Sequence, residues 1–166
     1  MNYIIREIKA KDNKTVENII RGCLIEFDGD REGTAWWDPD LCRFSEIYNT
    51  EDKKYWVAES VGSEKIVGGV GIAPLNGACS ESGSRICELQ KMYCIPEVRG
   101  AGIAHKLIGT ALDHAKKYYD KCYLETFGNM IAAQKFYEKY GFVKIDKPLG
   151  NTGHYACDVL YIKDLK

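Results

Sequence analysis

A glycine-containing turn between a strand pattern and a long helix pattern is the feature that most limits how this chain can fold. Residues 86–95 alternate as a strand does, and residues 103–119 carry apolar side chains at helical spacing. The turn between them, Arg99-Gly100-Ala101-Gly102-Ile103-Ala104, lets a ligand approach the main chain. The next helix begins with unpaired N–H groups and a positive dipole end, so the turn predicts an anion site. Arg99 would add a forked cation suited to phosphate.

Two other interpretations of this turn have to be weighed. An ordinary glycine-rich connection could have the same sequence, and the six residues alone do not distinguish the two. Gly100-x-Gly102 also begins a dinucleotide-binding fingerprint, with Glu125 near the place of a ribose-binding acid. However, His105 occupies the third glycine position. The preceding strand also contains Glu88, Gln90 and Lys91, unlike a parallel strand that is buried on both faces. The nicotinamide cofactor is therefore disfavoured.

The remaining hydrophobic patterns predict one domain over residues 1–166, with no repeat and no linker. A mixed sheet flanked by helices, of the α/β or α+β class, is the architecture that this order favours. A loop rich in glycine and serine, expected to be mobile, covers residues 76–84. The predicted strands are 3–8, 55–60, 66–73, 86–95, 121–126, 142–145 and 155–162, and the predicted helices are 15–27, 41–48, 103–119 and 130–140.

Composition excludes several classes of function. Lys and Arg number 23 against 24 Asp and Glu, and this balance argues against a nucleic-acid partner, which would need a basic field. No apolar stretch approaches a membrane span, and the first residues lack a basic start followed by an apolar signal core. The seven cysteines are scattered, without a C-x2-C pair, so neither a metal nor a disulfide framework is expected. These features favour a cytoplasmic protein with reduced thiols and no membrane partner.

Two stretches taken together resemble the GNAT superfamily of N-acetyltransferases. The strand, turn and helix of residues 87–104 are similar to its acetyl-CoA motif, R/Q-x-x-G-x-G/A, which is met by Arg99, Gly102 and Ala104. The second stretch, Asn129-x-x-Ala132-x-x-x-Phe136-Tyr137-Glu138-x-x-Gly141-Phe142, resembles the family's second motif. The resemblance covers residues 85–145 closely. It implies a GNAT-like mixed, mostly antiparallel sheet of six or seven strands with about four helices.

The resemblance also implies an acetyl-CoA site. The N–H groups of residues 99–104 would hold the pyrophosphate, and residues 92–94 would pair their main chain with the pantetheine arm between two strands that splay apart. The N–H of Met92 would polarise the thioester carbonyl, and Asn129 would hydrogen-bond the pantetheine arm or the substrate. The implied cofactor-binding residues are Met92, Tyr93, Cys94, Arg99, Gly100, Ala101, Gly102, Ile103, Ala104, Asn129, Ala132, Phe136 and Tyr137.

Catalysis of acetyl transfer to an amine needs an acid and a base. Tyr137 matches the family's usual general acid for the CoA thiolate, although a tyrosine on such a helix is more often a core residue. Glu88 matches the base of the family's histone-acetylating members. It shares strand parity with Met92 but would lie roughly 13 Å away, so a water chain would be needed. A polar residue on a half-exposed strand face is an equal alternative for Glu88, and Glu125 is a second candidate base.

The segment after the first helix is acidic and aromatic. Residues 28–39 begin like a calcium loop, but Pro39 stands where a bidentate Glu is required. We interpret this segment as one wall of the acceptor site. A solvated surface loop is an equal alternative. His154 and Cys157 would point to opposite faces of a strand over 155–162, which argues against covalent catalysis. His154 is instead expected to face the acceptor with Asp158.

The sequence thus predicts direct acetyl transfer from acetyl-CoA to a primary amine of a small molecule or amino acid, in a ternary complex. A protein N-terminal or lysine acetyltransferase and a non-catalytic acetyl-CoA-binding module are the alternatives. An acceptor site closed by residues 28–39 would favour small molecules, and an open groove would favour peptides. No metal is expected, and the oligomeric state is not indicated.

Overall fold

The computed structural model describes residues 2–78 and 83–166. Within these residues, seven strands form one sheet and four α-helices pack against it. The strands are β1 Tyr3–Glu7, β2 Lys54–Ser60, β3 Ile66–Pro74, β4 Ile86–Cys94, β5 Lys121–Thr126, β6 Val143–Ile145 and β7 Val159–Asp164. The helices are α1 Asn13–Glu26, α2 Phe44–Ile47, α3 Ile103–Tyr118 and α4 Ile131–Lys139.

The sheet has the order β1-β2-β3-β4-β5-β7-β6. Every neighbouring pair is antiparallel except β4 and β5, which are parallel and are joined through α3. A parallel pair requires such a crossover connection, and here the glycine turn lies at its start. The predicted mixed, mostly antiparallel sheet with four helices is confirmed.

Each face of the sheet is covered by a different layer of helices. On one face, Ile103, Leu107 and Ala111 of α3 pack with Tyr137 of α4 over the inward side chains of the strands. On the other face, Val16, Ile20 and Leu24 of α1 pack with residues of α2 and β2. The glycine turn and the carboxyl end of β4 lie between these layers, at the centre of the sheet.

Most predicted elements agree with the structure to within a few residues, and one strand is corrected. The strand expected over 155–162 begins only at Val159 and extends to Asp164. Tyr155 and Ala156 form a turn instead, and the Ala156 N–H donates to the Gly33 carbonyl at 3.0 Å. In the loop expected over 76–84, residues 79–82 lie outside the described part of the chain. No helix of the described ranges combines the length and the apolar content needed to cross a membrane.

Candidate active site

Strands β4 and β5 pair only over their first residues and then separate. The parallel register runs from Ile86 opposite Lys121 to Glu88 opposite Tyr123 and then stops. A cavity of about 550 Å³ opens beside the unpaired part of β4, between the glycine turn and α4. This volume lies within the range of small-molecule and cofactor sites.

The cavity brings together most of the residues expected to bind a cofactor. Ala101 and Ile103 are the two exceptions: Ala101 is exposed beside the turn, and Ile103 is buried in the core under α3. The other expected residues lining the cavity are Met92, Tyr93, Cys94, Arg99, Gly100, Gly102, Ala104, Asn129, Ala132, Phe136 and Tyr137.

The turn has the conformation that its glycines suggest. Gly100 and Gly102 have φ angles of +81° and +79°, which residues with a Cβ adopt only at a cost. Their N–H groups donate no hydrogen bond within the described chain and are available to an anion. The N–H groups of Arg99 and Ala101, by contrast, already donate to the carbonyls of Pro96 and Val98, each at 3.2 Å.

The guanidinium of Arg99 is held at the end of α1. Its two terminal nitrogens bond the carboxylate of Glu26 at 2.5 and 2.6 Å, and its Nε donates to the Cys94 carbonyl at 3.2 Å. The guanidinium also lies 5.8 Å from the ring centroid of Phe27. Arg99 therefore contributes a cation to the mouth of the cavity with part of its charge already paired.

A second contact ties the end of α1 to the start of α4. The side-chain amide of Asn129, which is exposed, donates to the Phe27 carbonyl at 3.0 Å. Phe27 itself lines the cavity. Asn129 is thus at the cavity rim, where the resemblance implies a contact with pantetheine or substrate.

The unpaired edge of β4 directs main-chain groups into the cavity. Ile95 donates its N–H to Val67 of the β3 side at 2.9 Å. Alternate residues of an antiparallel strand face the same neighbour, so Tyr93 also faces β3 while Met92 and Cys94 turn toward the gap left by β5. An extended ligand in this gap could form hydrogen bonds with the main chain of Met92, just as β5 does with the first residues of β4.

A β-bulge at Lys91 shapes this edge. In the β3–β4 register, Gly69 pairs with Tyr93 and Gly71 with Gln90, so β4 has one extra residue here. Lys91 has a φ of +49°, a left-handed conformation that costs on the order of 1–2 kcal/mol for a side-chain-bearing residue. The buried hydroxyl of Tyr55 supports it by donating to the Lys91 carbonyl at 2.9 Å.

The bulge overturns the expectation that Glu88 and Met92 share strand parity. Before the bulge, Cys87 and Leu89 pack in the core under α3, and after it Met92 packs there. Glu88 therefore points to the opposite face, where Gln90 donates to its carboxylate at 2.6 Å. The inserted residue reverses the alternation, so counting along the strand gives the wrong face.

Glu88 is deeply buried on the face of the sheet that α1 covers, with 7% of its surface exposed. Burial raises its pKa, the charge of Glu125 adds to the rise, and the hydrogen bond from Gln90 and the charge of Lys91 partly offset it. Gln90 in turn accepts from the Tyr48 hydroxyl at 2.5 Å. Glu88 lines neither the large cavity nor the small one described below.

Tyr137 lies in the wall between the cavity and the core, with 8% of its surface exposed. Its hydroxyl has no hydrogen-bond partner within the described residues, and it is not among the fully buried polar atoms left unpaired there, so the oxygen retains some exposure. Burial raises the pKa of Tyr137 well above its ordinary range, with smaller contributions from Cys94 and Cys122. The hydroxyl is therefore protonated at neutral pH and free to donate.

A charged group that the sequence did not suggest lies behind the bulge. The Lys91 ammonium is 2.7 Å from the carboxylate of Asp38, which also contacts Nε2 of His154 at 2.9 Å. Burial raises the pKa of Asp38, but the His154 hydrogen bond and the Lys91 charge outweigh it and hold the pKa below its ordinary range. His154 thus pairs with Asp38, a partner that the sequence did not indicate.

Asp158, which was expected to face the acceptor with His154, binds a main-chain group instead. Its carboxylate accepts the N–H of Gly128, just before α4, at 2.7 Å. A side chain at Gly128 would collide with this carboxylate at 2.9 Å. Asp158 therefore fixes the connection between β5 and α4, and it forms no hydrogen bond with His154 in the described part of the chain.

A second, smaller cavity of about 50 Å³ adjoins the first in the gap between β4 and β5. Met92 and Tyr137 line both cavities, so the two spaces meet at these residues. Glu125 and Cys157 line the small cavity alone. Burial raises the pKa of the Cys157 thiol to about 12, so this thiol is neutral and a poor nucleophile at neutral pH.

Comparison with known proteins agrees with this geometry. The family model described as "Acetyltransferase (GNAT) family" matches residues 14–142. The uncharacterized N-acetyltransferase YjgM of Escherichia coli (strain K12) is 39% identical over 164 residues, 98% of this chain and 95% of that protein.

Solved structures show the same fold. A GNAT-family acetyltransferase from Staphylococcus aureus Mu50 superposes with a TM-score of 0.82 at 23% identity, covering 99% of this chain and 100% of that one. The PaiA N-acetyltransferase of Thermoplasma acidophilum, solved in complex with coenzyme A, gives 0.70 at 17% identity, covering 99% of both chains. The match over residues 14–142 and the E. coli relative place the chain in the GNAT family of acetyltransferases.

Proposed function

We propose that the protein transfers the acetyl group of acetyl-CoA to the primary amine of a small molecule by direct attack in a ternary complex. The observation that carries this proposal is the large cavity beside β4, which joins a free strand edge, a glycine turn and an unpartnered tyrosine hydroxyl. Each of these suits one part of acetyl-CoA. The coenzyme A complex of the Thermoplasma acidophilum neighbour supports the same donor.

The N–H groups of Gly100 and Gly102, with the first turn of α3, would hold the pyrophosphate. The main chain of Met92 and Cys94 would pair with the pantetheine arm in place of the missing part of β5. These contacts would place the thioester beside Met92, whose N–H would stabilise the negative charge that develops on the carbonyl oxygen during attack.

Tyr137 would protonate the departing sulfur. Tyr137 lines both cavities, and its hydroxyl has a raised pKa and no competing partner among the described residues. The amine needs a base before it can attack, and two carboxylates, Glu88 and Glu125, lie on the acceptor face. No nucleophilic side chain of the enzyme is required, in line with the neutral thiol of Cys157.

The acceptor side favours a small molecule over a peptide. The segments 28–39 and 150–157 contact each other across it: Ala156 bonds Gly33, and the Tyr155 ring fills the position of a Gly33 side chain. The contact between Asp38 and His154 joins the same two segments at a second point. A polypeptide acceptor would need an open groove here, and the contacts between these two segments close it.

A thiol-release assay with acetyl-CoA across small amines, amino acids and peptides tests the proposal. We expect release with small amines and little with peptides. Release with peptides alone would support a protein acetyltransferase. Binding of acetyl-CoA without release for any acceptor would indicate a non-catalytic module. A Gly102→Val variant, which places a β-branched residue at a φ of +79°, is the matched control for cofactor binding.

A further inference from the structure

Within the described part of the chain, the small cavity between β4 and β5 brings a carboxylate together with Met92 and Tyr137. Glu125, Met92 and Tyr137 all line it, together with the hydroxyl-bearing Thr126. Its volume of about 50 Å³ exceeds the roughly 30 Å³ that a water molecule occupies in the liquid. The polar lining offers such a water the two or more partners that it needs.

The carboxylate of Glu125 is held in one orientation by two hydroxyl groups. Tyr123 donates to Oε1 at 2.7 Å, and Thr152 donates to Oε2 at 2.8 Å. Each carboxylate oxygen has two lone pairs, so one on each oxygen is left for another donor. Glu125 forms no ion pair within the described part of the chain. The cation Lys91 also lines the small cavity, but its ammonium is paired with Asp38 at 2.7 Å.

Glu88 has the opposite combination of features. It is more deeply buried, points away from Met92 because of the bulge and lines neither cavity. One of its oxygens is engaged by Gln90, which Tyr48 holds in turn. The charge of Glu125 contributes to the raised pKa of Glu88, so the two carboxylates interact electrostatically.

We propose that Glu125 is the catalytic base, which accepts the proton of the acceptor ammonium through a water held in the small cavity. This inference rests on the acetyl transfer proposed above. Glu88 then acts as a neighbouring negative charge that favours a cationic acceptor and does not exchange protons with it.

The proton balance of the reaction requires two losses from nitrogen. The ammonium gives one proton through the water to Glu125, which releases it to solvent. The freed lone pair forms the N–C bond, and the C–S bond breaks with its electron pair on sulfur. Tyr137 protonates the sulfur, and the second nitrogen proton returns to the phenolate. The products are the amide, coenzyme A and one proton in solution.

The test compares Glu125→Gln with Glu138→Gln. Glu138 also accepts a hydrogen bond from a tyrosine, Tyr161 at 2.9 Å, but lies outside both cavities. For an alkylamine at pH 7 we expect kcat/KM to fall about 10²- to 10⁴-fold in Glu125→Gln, the range for loss of a general base. The kcat/KM of Glu138→Gln should stay within about threefold of the wild-type value, far from the loss expected for a general base. Calorimetry should give the same acetyl-CoA Kd for both variants.

Two further readouts separate a base from a structural residue. In Glu125→Gln, kcat/KM should rise with pH up to the pKa of the amine, because the unprotonated amine is then supplied by solution. An aromatic amine, which is unprotonated at pH 7, should lose less than about tenfold, since no proton transfer to a base is needed before attack.

Three results would overturn the assignment. They are wild-type turnover in Glu125→Gln, a larger loss in Glu88→Gln than in Glu125→Gln, and equal losses for aliphatic and aromatic amines. Each of these leaves the acetyl transfer of the wild type standing. A wild-type chain that binds acetyl-CoA but acetylates no amine would instead refute the proposed function and this assignment together.

Discussion

The replacement Tyr137→Phe tests the acid in a favourable setting, because the hydroxyl is connected to nothing else. It makes no hydrogen bond within the described chain, so its removal leaves no partner unsatisfied and keeps the ring in the core. We expect the free energy of unfolding to change by less than about 0.5 kcal/mol. The rate should fall about 10²- to 10⁴-fold, the range for loss of a general acid. That fall corresponds to roughly 3–5 kcal/mol of activation free energy.

The assay is thiol release from acetyl-CoA at saturating amine, with urea denaturation as the measure of folding. Tyr140→Phe is the matched control, since this tyrosine lies on the same segment but bonds His105 at 2.9 Å and is not part of the cavity lining. Its kcat should stay within about twofold of the wild type, far from the loss expected for a general acid.

The pH profile gives a second check on Tyr137. Because burial raises its pKa above the ordinary 10, kcat of the wild type should show no alkaline loss centred at that value. A folded Tyr137→Phe variant with wild-type kcat would refute the reasoning. So would a loss of stability as large as the loss of activation free energy, because the hydroxyl would then be structural.

Four other changes have outcomes that follow from the structure. Gly102→Ala should lower the free energy of unfolding by about 1–2 kcal/mol through its positive φ and weaken CoA binding in calorimetry. Tyr55→Phe should cost about 1–3 kcal/mol in urea denaturation, because the Lys91 carbonyl loses its donor. Asp38→Asn should raise the acceptor KM and leave the CoA Kd unchanged, because its contacts lie on the acceptor side. Burial lowers the pKa of His114 below 6.5, so stability should fall as pH drops below that value, and His114→Gln should flatten this fall.

The lining of the large cavity was predictable because its signals are local. Glycines with positive φ at 100 and 102 precede α3, and Gly141, with a φ of +79°, follows α4 as its pattern suggests. These residues determine the backbone through their own steric freedom, and the helices next to them follow from apolar spacing. The positions of Met92 and Tyr137 relative to the turn then follow from the lengths of the elements.

The acceptor side could not be predicted, because distant segments determine it. Lys91 adopts a conformation that lysine rarely takes, and it does so because Tyr55, on a neighbouring part of the sheet, binds its carbonyl. Asp38 and His154 are 116 residues apart in sequence. The alternating polarity of residues 155–158 likewise predicts the start of β7. In the structure, contacts with Gly33 hold this segment in a turn. Single-sequence patterns contain none of these pairings.

The glycines of β3 limit how the enzyme can be changed, although they line neither cavity. A methyl group on Gly69 would lie 2.6 Å from the Tyr55 ring, and one on Gly71 would lie 2.9 Å from the rings of Tyr48 and Tyr55. Even alanine at either position would displace the Tyr55 phenol, which binds the bulge at Lys91. Libraries aimed at a new acceptor should therefore diversify segments 28–39 and 150–157 and keep this strand invariant.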